Sequence, residues 1–78
     1  MKIGTRVTAI SHTKDNKVYI FGYGKYLGEK PCELLGGIKN PCIELDNGKL
    51  IYGCQCWWGE TNRVQDEIIK DKEIILIE

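Results

Sequence analysis

The sequence predicts a mainly β protein with one short helix before the last strand, built as a small, strongly bent antiparallel sheet or an SH3-like or OB-like barrel. Three observations carry this expectation. Short runs of β-branched and aromatic residues recur between Gly- and Asn-containing turns, and Asn47-Gly48 sits between two such runs as a hairpin signal. The hydrophobic period becomes helical only once, after Thr61.

Taken in order, residues 3–10 read as a first strand, with β-branched Ile3, Thr5, Val7, Thr8 and Ile10. Residues 11–17 are polar and carry Asp15-Asn16, which suits a turn. Residues 18–21 form a second strand that runs into Gly22-Tyr-Gly-Lys-Tyr-Leu-Gly28, where the glycines predict a kinked strand continuing through Leu27. Residues 29–41 hold both prolines and Gly36-Gly37, so they are expected to be the longest and most mobile loop, with room for one helical turn at Glu33-Leu34-Leu35.

A type I′ turn at Asn47-Gly48 sets Leu45 opposite Leu50 and Ile43 opposite Tyr52. Ile43, Leu45, Leu50, Tyr52, Cys54 and Cys56 then line the core face, while Cys42, Glu44, Asp46, Ile51 and Gln55 take the other. Either Trp57 or Trp58 is sent to the surface or rim. Thr61 is the expected N-cap of a helix over residues 61–70, with Val64, Ile68 and Ile69 on its inner side. Residues 74–77 close the chain as an apolar strand expected beside the first.

A chain of 78 residues is read as one domain, 1–78, close to the lower limit at which a single core is stable unaided. Eleven basic and eleven acidic residues cancel, which excludes the basic footprint of a duplex nucleic-acid binder. No apolar run reaches membrane-spanning length and no secretory h-region opens the chain, so the expectation is a soluble cytoplasmic protein with reduced thiols.

Catalytic signatures are missing. There is no Gly-x-Ser-x-Gly elbow, P-loop or His-Glu-x-x-His pair, and the single histidine, His12, falls in the polar segment, so no enzyme is expected. Cys32, Cys42, Cys54 and Cys56 lack the paired C-x2-C knuckles of structural zinc sites, so neither metal nor cofactor is expected.

Aromatics carry the functional reading. Tyr19, Phe21 and Tyr52 serve the core, whereas Tyr23, Tyr26 and one of Trp57 and Trp58 lie beside glycines, as an exposed stacking platform would. The helix start adds donors from Thr61, Asn62 and Arg63, opposed by Glu60, and Lys25 adds a further cation. Tyr23, Lys25, Tyr26, Trp57, Trp58, Thr61, Asn62 and Arg63 are therefore the candidate ligand-binding set, stacking a base and holding a phosphate.

The segments Phe21-Gly-Tyr-Gly-Lys-Tyr-Leu-Gly28, Asn40-Pro41, Glu44-Leu-Asp-Asn-Gly-Lys49 and Gly53-Cys-Gln-Cys-Trp-Trp-Gly59 resemble short proteins carried by bacteriophages and prophages. That resemblance implies a non-catalytic anti-defence protein acting in the host cytoplasm. Its expected activity is that of a sponge for a small anionic, cyclic nucleotide signal, held at or near a homo-oligomer interface. The alternative is an interaction module or inhibitor that grips a host protein through the same aromatic surface.

Overall fold

The computed structural model describes residues 1–77. Its strands are β1 (Arg6–Lys14), β2 (Lys17–Cys32), β3 (Ile38–Leu45), β4 (Leu50–Tyr52), β5 (Trp57–Glu60) and β6 (Glu73–Leu76). A helix, α1 (Thr61–Val64), widens into a π turn over Gln65–Ile69 and precedes the last strand. The sheet order is β4-β3-β2-β1-β5, with β6 on the other side of β2 from β1. β4 and β5 end the sheet without pairing to each other, so it is a bent open sheet and not a closed barrel.

β2 organises the fold. Its first part pairs with β1 from Lys17 to Lys25, and its second part pairs with β3 from Gly24 to Cys32. The expected kink is present, and it falls where the partner strands change over. A Cβ on Gly24 would lie 2.2 Å from the Glu44 carbonyl oxygen, so only glycine lets β3 come this close.

Several expectations are corrected. β1 runs on through the polar residues to Lys14, because Asp15 and Asn16 both take positive φ and make a two-residue hairpin that sets Lys14 opposite Lys17. Residues 29–41 are mostly not a loop: Glu29 pairs with Pro41 and Pro31 with Lys39, which leaves only the 3-10 turn Glu33–Leu35 and two glycines. Proline fits there because β3 pairs with β4 only from Cys42 to Glu44, so its earlier residues lie on an open edge.

The β3–β4 register is shifted by one from the expected one: Glu44 faces Leu50, Ile43 faces Ile51 and Cys42 faces Tyr52. The turn is a three-residue loop. Gly48 N–H donates to the Leu45 carbonyl at 2.9 Å, Gly48 alone has positive φ, and Asn47 Oδ1 accepts the Lys49 N–H at 2.9 Å. That is a type I turn followed by a glycine bulge. A slip of one residue exchanges the faces of β4. Ile51 is buried and Leu50 exposed, and on the flanking strand and turn Cys42 is buried and Cys54 exposed.

The last strand also departs from expectation. β5 occupies the edge of β1 that it was expected to take, so β6 lies parallel to β2, with Val18 opposite Ile74. Two buried clusters result. Val7, Ala9, Ile43, Leu45 and Ile51 form the first, and Phe21, Tyr26, Cys56 and Trp58 pack against it. Ile10, Val18, Ile20, Val64 and Ile69 form the second, flanked by Tyr23 and Ile68. The helix thus covers one part of the sheet, while the fold of the sheet over itself covers the other.

Candidate functional site

The two tryptophans separate, as alternation along β5 requires. Trp58 lies opposite Ala9 on β1, is half-buried and stacks on Tyr26 with centroids 5.6 Å apart and planes 11° from parallel. Its indole Nε1 also sits where a Cβ on Gly53 would be, 2.7 Å away. Trp57 lies opposite Ile10 and is 75% exposed, the most open large apolar side chain among the described residues.

The candidate ligand set is not gathered into one site. Tyr26 and Trp58 meet, but each covers the other's face. Tyr23, opposite the buried Thr8, packs against the second cluster. Thr61 does not cap the helix; its Oγ1 lies 3.0 Å from Thr8 Oγ1, and Glu60 holds the N-cap position with no side-chain cap. Thr61 and Asn62 share a small hollow of about 200 Å³ with Arg6 and Glu60. Lys25 lies in another, of about 430 Å³, with Arg6, Glu44 and Asp46. Arg63 and Trp58 open onto a third, of about 370 Å³.

The cationic side chains in these hollows are already paired. Lys25 pairs with Glu44 at 3.3 Å and Arg63 with Glu67, four residues on, at 3.6 Å. Arg6 makes a bidentate pair with Asp46, which holds the Asp46 carboxyl below its ordinary range through the hydrogen bond. An anion must therefore compete with a carboxylate at each of these cations.

No protein-family model, curated protein or solved structure matches this chain. The chemistry must be read from the surface itself.

A further concavity lies beside Trp57. Ile10, His12, Trp57, Glu67, Ile68 and Lys72 line a groove of about 440 Å³ with an apolar floor and a rim of mixed charge. Sequence reasoning missed all of these but Trp57, because they come from β1, β5, the π turn and the segment before β6. One signal was present. Reading Asp15-Asn16 as a two-residue hairpin sets His12 opposite Tyr19, and the two rings do stack, 4.4 Å apart and 12° from parallel.

Among the described residues no group of three or more His, Cys, Asp or Glu side chains is arranged to hold a metal ion. Among the same residues no helix is long and apolar enough to cross a membrane.

Proposed function

We propose that the protein is a non-catalytic binding module whose partner is another protein chain, docked along the free edge of β5 with Trp57 as its anchor. The observation that carries this reading is Trp57 itself: a tryptophan 75% exposed, on a strand paired on one side only, above an apolar groove. An edge strand presents unpaired N–H and C=O groups from alternate residues, so an extended segment adds to it by main-chain hydrogen bonds. Tryptophan is a preferred interface anchor because it buries a large rigid area at little entropic cost. Ile10 and Ile68 offer the floor for an apolar side chain of the partner, and Glu67 and Lys72 select its flanking charges. The resemblance to phage-borne proteins makes a host protein the partner class, and a second copy of this chain fits the same edge.

Sequestration of a cyclic nucleotide is the second reading. It is favoured by one observation, that Trp58 and Arg63 share a cavity.

Host protein captured on the immobilised chain is identified, purified and titrated against wild type, Trp57→Ala and Arg63→Ala. Removal of a tryptophan anchor costs at least about 2 kcal/mol, or roughly 30-fold in Kd. Arg63→Ala changes it little on this reading. An affinity indifferent to Trp57 sinks it, and heat released with cyclic dinucleotides or cyclic ADP-ribose isomers, lost in Arg63→Ala, establishes the second reading instead.

A further inference from the structure

Two apolar surfaces lie at opposite ends of β2, so the chain does not bring them together by itself. The groove beside Trp57 is at the start of the strand: its His12 faces Tyr19, and its Lys72 leads into β6, which pairs with Lys17–Ile20. The other surface is the turn that follows Cys32 at the far end. There Leu34 and Ile38 are each 68% exposed and Leu35 is exposed beside them, with no charged residue from 34 to 38. This tip is held in shape. Gly36 N–H donates to the Glu33 carbonyl at 3.0 Å, and Gly37 N–H donates to the Cys32 carbonyl at 2.9 Å. A pre-shaped apolar tip loses little conformational freedom when it docks.

Charge indicates what covers both surfaces. Glu33 and Lys39 flank the apolar tip, and Glu67 and Lys72 rim the groove whose floor is Ile10 and Ile68. Among the described residues Glu33, Lys39 and Lys72 form no ion pair within the chain, whereas Arg6, Lys25 and Arg63 all do. Each surface is thus an apolar patch between an acid and a base, and each can meet the other with opposite charges in register.

We propose that the tip of the β2–β3 hairpin docks in the Trp57 groove of a second copy of this chain, reciprocally, as a twofold dimer. Leu34 and Ile38 enter against Ile10, Ile68 and the Trp57 ring, while Glu33 meets Lys72 and Lys39 meets Glu67. Because tip and groove lie at opposite ends of β2, two antiparallel copies offer each groove the other's tip, and the contact forms twice. Reciprocity also closes the assembly at two copies, where a one-way contact would run on into a filament. The inference rests on the reading of the groove as a protein-docking surface, and it makes the second copy a competitor of any host chain for that groove.

Sedimentation velocity over a range of protein concentrations tests it, with the folding of every variant checked by circular dichroism. Wild type is expected to dimerise, and Leu34→Ser and Trp57→Ala, both at exposed positions, should each raise the dimer Kd about 10-fold or more. Glu33→Lys and Lys72→Glu should each weaken the dimer by about 10-fold, because either one sets like charges together at both contacts. The two combined in one chain should restore the dimer, which no general damage to the fold could do. The proposal is overturned if wild type stays monomeric up to millimolar concentration, if Leu34→Ser or Trp57→Ala leaves the dimer intact, or if the combined charge swap stays as weak as either single variant. A monomeric wild type whose affinity for captured host protein still falls in Trp57→Ala overturns this inference and leaves the host-docking reading standing. The expected dimer, found together with host binding indifferent to Trp57, has the opposite meaning.

Discussion

Tyr26 on β2 and Trp58 on β5 stack nearly parallel, although β1 lies between their strands. The contact is possible only because the sheet folds over itself, and the residues beside it on β1 and β2 are small: Ala9 faces Trp58, and Gly22 faces Ala9. Both rings pack on the first buried cluster, so the pair closes the open side of the core. Trp58→Ala should therefore destabilise the protein by about 2–4 kcal/mol, since a partly buried tryptophan leaves both a cavity and an unpaired ring. A double-mutant cycle with Tyr26→Leu and Trp58→Leu, followed by urea unfolding, should return a coupling of about 0.5–1.5 kcal/mol. Zero coupling would mean that the two rings merely lie side by side.

Gly53 gives an independent check on the same packing. A Cβ there meets Trp58 Nε1 at 2.7 Å and Pro41 side-chain atoms at 3.3 Å. Gly53→Ala should cost about 1–3 kcal/mol by overpacking, measured as a shift of the urea midpoint. Combined with Trp58→Leu, which vacates the indole, the cost of Gly53→Ala should shrink by more than half. Additive losses would argue that the backbone of the turn, and not the indole, sets the requirement for glycine.

Local chemistry made the fold class legible. The helical period after Thr61, the Gly-rich kink and the Asn-Gly turn each survive as real elements. What failed was register. Type I′ and type I-plus-bulge turns both accept Asn-Gly, and only the φ of Asn47 distinguishes them, yet the choice decides whether Leu50 or Ile51 is buried. The polar run at 11–14 concealed a strand, because its pairing comes from the αL turn that follows it and not from its own side chains. The aromatic platform was half legible: one tryptophan had to be outward, but Trp58 and Tyr26 satisfy each other, which no local pattern encodes. The Trp57 groove is assembled from distant segments, and only the Asp15-Asn16 hairpin, which sets His12 opposite Tyr19, gave a local signal of it.

Arg6 and Asp46 join β1 to the β3–β4 turn through an exposed bidentate pair. The Asp46 carboxyl is held below its ordinary value, so its contribution to stability is present above about pH 4, its unfolded value, and is lost as pH falls through the lower folded value. Asp46→Asn should cost about 0.5–1 kcal/mol at pH 7 at low salt, the upper range for a surface pair because both guanidinium nitrogens engage. Wild type and variant should converge near pH 2. Guanidinium-free unfolding by urea across pH 2–7 measures the difference, and a gap that persists at pH 2 would assign the effect to something other than the ion pair.

At the alkaline end Cys56 is one of the groups that favours the folded state. Its thiol is raised from 9.0 to about 11 by burial first and by Cys54 second. A folded pKa above the unfolded one means that the native state holds the proton more tightly, so this contribution is complete below pH 9 and is lost as pH rises from 9 toward 11. Two units correspond to nearly 3 kcal/mol for a fully shielded group, but Cys56 is only half-buried, and screening reduces the expected loss to about 1–2 kcal/mol. Lysines and tyrosines titrate in the same range, so the informative quantity is the difference between wild type and Cys56→Val, whose side chain is similar in size and carries no proton. Wild-type stability should fall more steeply than that of the variant between pH 9 and 11. Parallel slopes would show that the Cys56 thiol ionises freely in the folded protein, and hence that it is not held against the first cluster with its proton on the Tyr52 carbonyl.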